Sequence, residues 1–280
     1  MTIQATMATA ARHYASSPQH SSPGQNTWIT RGANFVVAVS QVTAGARLSR
    51  DNHPDEYMVV MVDTAAVIEA NGASIEARPD TLTIVPPGAS SIMAQGDGQI
   101  VRVFSAQACD LMAAASNAEV YANGAPEVAP LVPWPDPPEG FKLRHYVLAD
   151  HTKPDTNMRI FRSTNLMLNI MTPRMVARDV RKLSPHSHAD FEQGSLAVKG
   201  EWVHHLRYPW TADMTDWKSD EHLEMGSPSL LVVPPKVIHT SRNANDGGAW
   251  LVDIFAPPRM DFSKKPGMVC NADDYPMPAE

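Results

Sequence analysis

The chain is poor in cysteine, in basic residues and in long apolar runs, and each shortage excludes something. Its two cysteines, Cys109 and Cys270, stand far apart in 280 residues. No disulfide framework and no paired-thiolate zinc site can be built from them, so both are expected as free thiols of a cytoplasmic protein. Lys and Arg number 23 against 30 Asp and Glu, giving a net charge of −7. A nucleic-acid partner needs a basic face, which this balance argues against. No run approaches the ~18 consecutive apolar residues of a membrane span. The opening segment, Met1 to Ala8, has neither the basic start nor the apolar core of a secretory signal.

What remains is an ordinary globular composition, 43% hydrophobic, with length enough for two cores. Short alternating or β-branched runs recur at 28–40, 57–62, 66–69, 82–85 and 100–104, separated by turn residues. They resume at 159–176 and continue through 196–206, 229–233 and 250–255. That spacing predicts a mainly all-β chain of barrels or sandwiches. The Ala-rich stretch 106–120 predicts a short helix. The expected organisation is a flexible N-terminal segment (1–26), a first domain (27–125), a proline-stiffened connector (126–140), a second domain (141–260) and a tail (261–280).

The chain also repeats itself. Leu48-Ser49-x-x-x-His53-x-Asp55 returns as Leu183-Ser184-x-x-x-His188-x-Asp190, and Val85-Pro86-Pro87-Gly88 returns as Val233-Pro234-Pro235-Lys236. The second copy has a longer loop around 208–220. Self-similarity of this kind indicates a duplicated unit.

The second copy carries the chemistry. On a strand, residues i and i+2 share a face, so His186 and His188 can point at one ion. His239 follows from a strand distant in sequence, after Pro234-Pro235, and imidazole is the commonest biological ligand for zinc, copper, nickel and iron. Together with the glycine at 200 and Asn243, these residues resemble the two motifs of the cupin superfamily: His-x-His, then a carboxylate and a glycine, and later Pro-x-Gly-x-x-His-x-x-x-Asn. Lys236 stands where that family usually has glycine. The resemblance implies two cupin-type antiparallel β-barrel (jelly-roll) domains with a few short helices, and one divalent metal ion per chain, iron first, with manganese, nickel or zinc as alternatives. The fourth ligand it implies is Gln193 by the usual spacing, or Glu192 by the shorter variant. In the first copy the corresponding positions hold Asp51, His53, Glu56 and Ser91, so that site is expected to have lost its metal.

His204, His205 and Arg207 follow on the same hairpin. The two histidines are candidates for a general base and Arg207 for pairing a substrate carboxylate. Trp202, Trp250 and Phe255 are candidates for the cavity wall. The function implied is a metal-dependent enzyme acting on a small oxygen-rich or carboxylate metabolite. An iron dioxygenase comes first. A non-redox isomerase or lyase on a sugar acid stands beside it, because His-x-His-x-x-x-Glu-Gln is similar to the small cupins that ketonise unsaturated uronates. A non-catalytic small-molecule binder is the third reading. A homodimer is expected from the habit of such barrels to pair.

Overall fold

The computed structural model describes residues 6–279. In chain order the strands are β1 (Thr9–Ala11), β2 (His20–Ser22), β3 (Gln25–Arg31), β4 (Phe35–Val42), β5 (Arg47–His53), β6 (Tyr57–Met61), β7 (Ala66–Ala70), β8 (Ala73–Ala77), β9 (Thr81–Val85) and β10 (Gly88–Ala94). They continue as β11 (Gly98–Ser105), β12 (Arg144–Val147), β13 (Ile160–Arg162), β14 (Met167–Ile170), β15 (Gln193–Lys199), β16 (Trp202–Arg207), β17 (Glu221–Met225), β18 (Ser229–Val233), β19 (Ile238–Asn243) and β20 (Trp250–Phe255). Two short helices, α1 (Cys109–Ala114) and α2 (Met260–Ser263), complete the regular structure with a few 3-10 turns. No helix among the described residues is long and apolar enough to cross a membrane.

Each half pairs a large sheet with a small one. The first half sets the order β12-β9-β6-β11-β4-β3-β2 against β5-β10-β7-β8. The second sets β1-β18-β15-β20-β14-β13 against β17-β16-β19. The period-two alternation of each large sheet sends one set of side chains inward and the other toward the opposite half. Phe35, Val37, Met58 and Val60 meet Leu168, Leu196, Val252 and Ile254 in one core between the two large sheets. The neighbours Tyr57, Val59, Met61 and Phe104 point into the first barrel and pack on Ile68 and Ile92.

The halves exchange strands. β1 pairs with β18 of the second barrel (Ala10 with Leu231), and β12 pairs with β9 of the first (Tyr146 with Leu82). The reading of residues 1–26 as flexible is therefore corrected from residue 9 onward, and the first five residues lie outside the described residues. The backbone of Thr9–Ala11 covers an otherwise open edge of β18, and His13 is buried behind it. The tail also returns to the body: Tyr275 is buried and its hydroxyl donates to Glu56 Oε1 at 2.7 Å.

The run 159–176 is strand only at β13 and β14. Met171 still donates to Leu251 O at 3.2 Å, but Pro173 has no N–H to donate and the regular ladder ends before it. Residues 171–185 instead form an irregular segment tied down by Arg174, whose N–H donates to Ala249 O at 2.8 Å while its carbonyl accepts from the Ala249 N–H at 2.9 Å. Two turns place the motif residues. Gly200, at φ +85°, lets β15 fold into β16; a Cβ there would lie 2.6 Å from that of Ala249. Lys236 adopts φ +67° at the place where the first copy has Gly88 at φ +109°, so the turn keeps its left-handed form despite the lysine. Its N–H donates to His188 O at 2.6 Å, which helps hold it there.

Candidate functional site

His186, His188 and His239 converge. One ring nitrogen from each lies within 4.8 Å of the others, and among the described residues theirs is the one cluster of this kind. A two-bond bridge sets the pair from distant segments: His186 N–H donates to His239 O at 3.1 Å and His239 N–H to His186 O at 2.8 Å. Two of the rings are oriented by backbone carbonyls. His186 Nδ1 lies 2.9 Å from Ser184 O, and His239 Nδ1 lies 2.9 Å from Val237 O. A carbonyl only accepts, so both Nδ1 atoms carry a proton, which leaves Nε2 as the atom each ring could offer a metal. Burial pulls His188 and His239 down to about 4, which favours the neutral form of both rings.

Gln193 and Glu192 part company across the pleat. β15 begins at Gln193, whose Oε1 stands 2.9 Å from His188 Nε2 and 3.3 Å from His239 Nε2. Its Nε2 donates to Ser195 Oγ (2.9 Å) and Asp253 Oδ1 (3.1 Å), which fixes the amide with its oxygen toward the histidines. Glu192 points the other way, into the contact between the halves. Its Oε2 accepts from the Ala33 N–H at 2.6 Å and its Oε1 from the Tyr121 hydroxyl at 2.9 Å. Of the two expected candidates, Gln193 faces the histidines and Glu192 faces away from them.

The cluster borders a cavity of about 270 Å³. Trp202 and Phe255 line it, whereas Trp250 packs into the core between the halves. Asn169, Thr240 and Asp253 contribute polar groups. Asn169 Oδ1 and Thr240 Oγ1 are buried with no hydrogen-bond partner among the described residues. Burial raises Asp253 to about 6, opposed mainly by its hydrogen bond from Ser195. Three arginines reach the wall. Arg178 donates to Ser241 O (2.8 Å) and Ser184 Oγ (2.9 Å), Arg259 is paired with Asp261 at 2.7 Å, and Arg174 completes the set. Asn243 Nδ2 donates to Val176 O at 2.9 Å, so the motif asparagine braces the segment that carries Arg174 and Arg178.

The hairpin candidates fall elsewhere. His204 is fully buried behind the wall, with Nδ1 at 2.7 Å from Ser241 Oγ; burial holds it down to about 3 and neutral, so it supports Ser241 and is a poor base. His205 faces outward and pairs with His222, Nδ1 to Nδ1 at 2.7 Å. Arg207 forms an exposed ion pair with Asp220, at 2.6 Å. Both line a surface depression on the other side of His239 and Thr240, because alternate β16 residues face away from the cavity. The cavity arginines, Asn169, Ser195 and Asp253 escaped the sequence reading. Only Asp253 gave a signal, as a lone carboxylate within the apolar run Trp250–Phe255.

In the first barrel the corresponding residues do not converge. Asp51 is exposed, Ser91 Oγ donates to Glu69 Oε2 at 3.1 Å, and Glu56 accepts from Tyr275 and Thr164 of the second half. His53 is buried edge-on against Tyr57 and Phe104, with centroids 5.4 and 5.2 Å away.

No protein-family model and no curated protein sequence matches the chain. Solved structures do. The chain is similar to an oxalate decarboxylase of Lactobacillus farciminis, solved as a formate complex (15% identity, TM-score 0.58, 89% of this chain and 86% of that one). It is likewise similar to the protein YlbA of E. coli (10%, TM-score 0.58, 91% and 92%) and to the coconut allergen cocosin (11%, TM-score 0.59, 91% and 87%). An enzyme and a coconut allergen share this architecture, so the likeness speaks for the fold and leaves the reaction to the site. Two antiparallel barrels, a histidine cluster in the second and these likenesses together give the chain a cupin-like double-barrel fold.

Proposed function

We propose that this protein is a divalent-metal-dependent, non-redox enzyme of the isomerase or lyase type, acting on a small carboxylate such as a sugar acid. The observation that carries this reading is the side-chain oxygen of Gln193 at the histidine cluster, with Glu192 turned away. Four neutral donors, His186, His188, His239 and Gln193, would then hold the ion. They fit it, since the buried rings are neutral, two have Nδ1 committed to carbonyls, and the amide is held oxygen-first. When bound, such an ion keeps nearly its full charge and polarises a carbonyl or enolate oxygen as a Lewis acid.

The protein's own groups supply the rest. Asp253 and Ser195 orient the Gln193 amide. Arg174 and Arg178 put positive charge on the wall, where a substrate carboxylate would sit. Asn169 Oδ1 and Thr240 Oγ1 await hydroxyl or water partners. Trp202, Leu251 and Phe255 keep the remaining wall apolar and limit water at the reacting carbon.

The test is solvent-proton exchange. Protein loaded with Mn²⁺ or Fe²⁺ without air is given uronates and 2-oxo acids in D₂O, with an oxygen electrode in parallel. The expected result is deuterium entering the carbon next to the carbonyl, dependent on metal, with no oxygen uptake. Substrate-dependent oxygen uptake without exchange would overturn this reading in favour of a dioxygenase.

A further inference from the structure

We infer that the cavity takes a small dicarboxylate, one carboxylate at the centre formed by His186, His188, His239 and Gln193 and the other at Arg174. The inference rests on the metal-dependent reading above and narrows its substrate class.

Charge balance points there first. A divalent ion held by four neutral donors brings two positive charges that no ligand cancels. The cavity wall adds Arg174, Arg178 and Arg259, against a single wall carboxylate, Asp253. Arg259 is already neutralised by Asp261 and lies over the Phe262 ring at 3.8 Å. Positive charge remains in excess on this half-exposed wall, which favours an anionic ligand. A substrate bringing two negative charges offsets most of this excess, and one bringing a single charge offsets less of it.

The arginines differ in availability. Arg178 spends its guanidinium on Ser241 O, Lys182 O and Ser184 Oγ, bracing the 171–185 segment to the barrel. The Arg174 side chain has no hydrogen-bond or ion-pair partner among the described residues, yet its backbone is clamped. Its N–H donates to Ala249 O, and its carbonyl accepts from the N–H groups of Ala249 and Gly248. An unpaired guanidinium on a fixed stretch of backbone, facing a cavity, is a ready bidentate site for a carboxylate. The Asn243 bond to Val176 O holds the same segment from its other side.

Size sets the remaining limit. The cavity volume of about 270 Å³ suits a short-chain acid. Trp202 and Leu251 give its middle an apolar surface, and Asn169 and Thr240 leave room for a hydroxyl on it.

Calorimetric titration of the full chain tests this, with Mn²⁺ bound and again after chelation. The probes are succinate and malonate, the matched monocarboxylates butyrate and propionate, and inorganic phosphate. With Mn²⁺, each dicarboxylate is expected to bind ~10–100-fold more tightly than its matched monocarboxylate, the scale of one charge-assisted pair. Arg174→Ala should erase that preference while leaving Mn²⁺ content and monocarboxylate affinity unchanged, and Arg174→Lys should keep part of it. The chelated protein separates the two claims. If Mn²⁺ does not bind at all, the metal-dependent reading fails, but an Arg174-dependent preference for dicarboxylates over monocarboxylates would still sustain this one. Equal affinity for both acid classes, a preference untouched by Arg174→Ala, or phosphate binding as tightly as succinate would overturn it.

Discussion

In the first barrel Tyr57 stands opposite Val85 and Phe104; in the second, Gln193 stands opposite Val233 at the same rung. Two residues along, the first ladder pairs Val59 with Arg102 and the second pairs Ser195 with Asp253. One backbone plan thus carries two interiors. Tyr57 and Phe104 stack at 4.7 Å and, with His53, fill the space where a substrate would enter. In the second barrel an amide, a hydroxyl and a carboxylate occupy those inward positions and leave a polar hollow. The first barrel thus differs in more than its candidate ligands, because aromatic packing fills the inward positions there. Close-packed apolar interiors stabilise, whereas unsatisfied polar ones cost free energy, and the two interiors differ in that balance.

The largest effect that sharpens this contrast is on folding. Tyr57→Ala should destabilise the chain by ~3–5 kcal/mol, since a large side chain leaves a cavity, and should not change metal content; denaturant unfolding and elemental analysis read the two. Gln193→Ala, at the equivalent rung, should do the reverse, weakening Mn²⁺ or Zn²⁺ binding by ~10–100-fold with a modest change in stability. Its neighbour provides the control. Glu192→Ala strands the Tyr121 hydroxyl and the Ala33 N–H, so it should cost ~1–3 kcal/mol of stability with metal affinity nearly intact. The opposite ranking of the two variants in a metal titration would reverse the assignment of faces.

A smaller effect lies in pH. Burial pushes Glu56 up to about 7, against the lowering influence of Tyr275 and Thr164. The folded state therefore holds this proton more tightly than the unfolded chain. The stability it contributes is complete below the ordinary carboxylate range and is lost as pH rises toward and through about 7. Wild-type unfolding free energy should decline between pH 5 and 8 by ~1–3 kcal/mol more than that of Glu56→Gln, where the group cannot ionise. Parallel curves would show that Glu56 does not carry this dependence. The smallest effect is Arg207→Ala. Its exposed pair with Asp220 is worth ~0–1 kcal/mol, and the change should leave metal and carboxylate binding alike.

Much of this architecture is legible in the sequence, for definite reasons. β18 and β20 are apolar runs with the expected bounds, and the repeat of Val-Pro-Pro aligns the two barrels because both need the same left-handed turn after the prolines. His186, His188 and His239 are recognisable because a metal restricts residue type and spacing. The side taken by Glu192 and Gln193 is not, because a bend of unknown phase separates them from His188. The strand exchange of β1 and β12 depends on which edge lies open, a property of the assembled sheets and not of those short segments. Arg174 and Arg178 sit on an irregular segment without periodicity, so only the folded chain reveals that they face the cavity.

The central claim is one metal ion, in the second barrel alone, on four neutral donors. Elemental analysis of the full chain after reconstitution and desalting tests it most directly, comparing wild type with His239→Ala and His53→Ala. The account predicts one ion per chain in wild type and in His53→Ala, and almost none in His239→Ala with the fold retained by circular dichroism. Two ions per chain, or an unchanged content in His239→Ala, would contradict it.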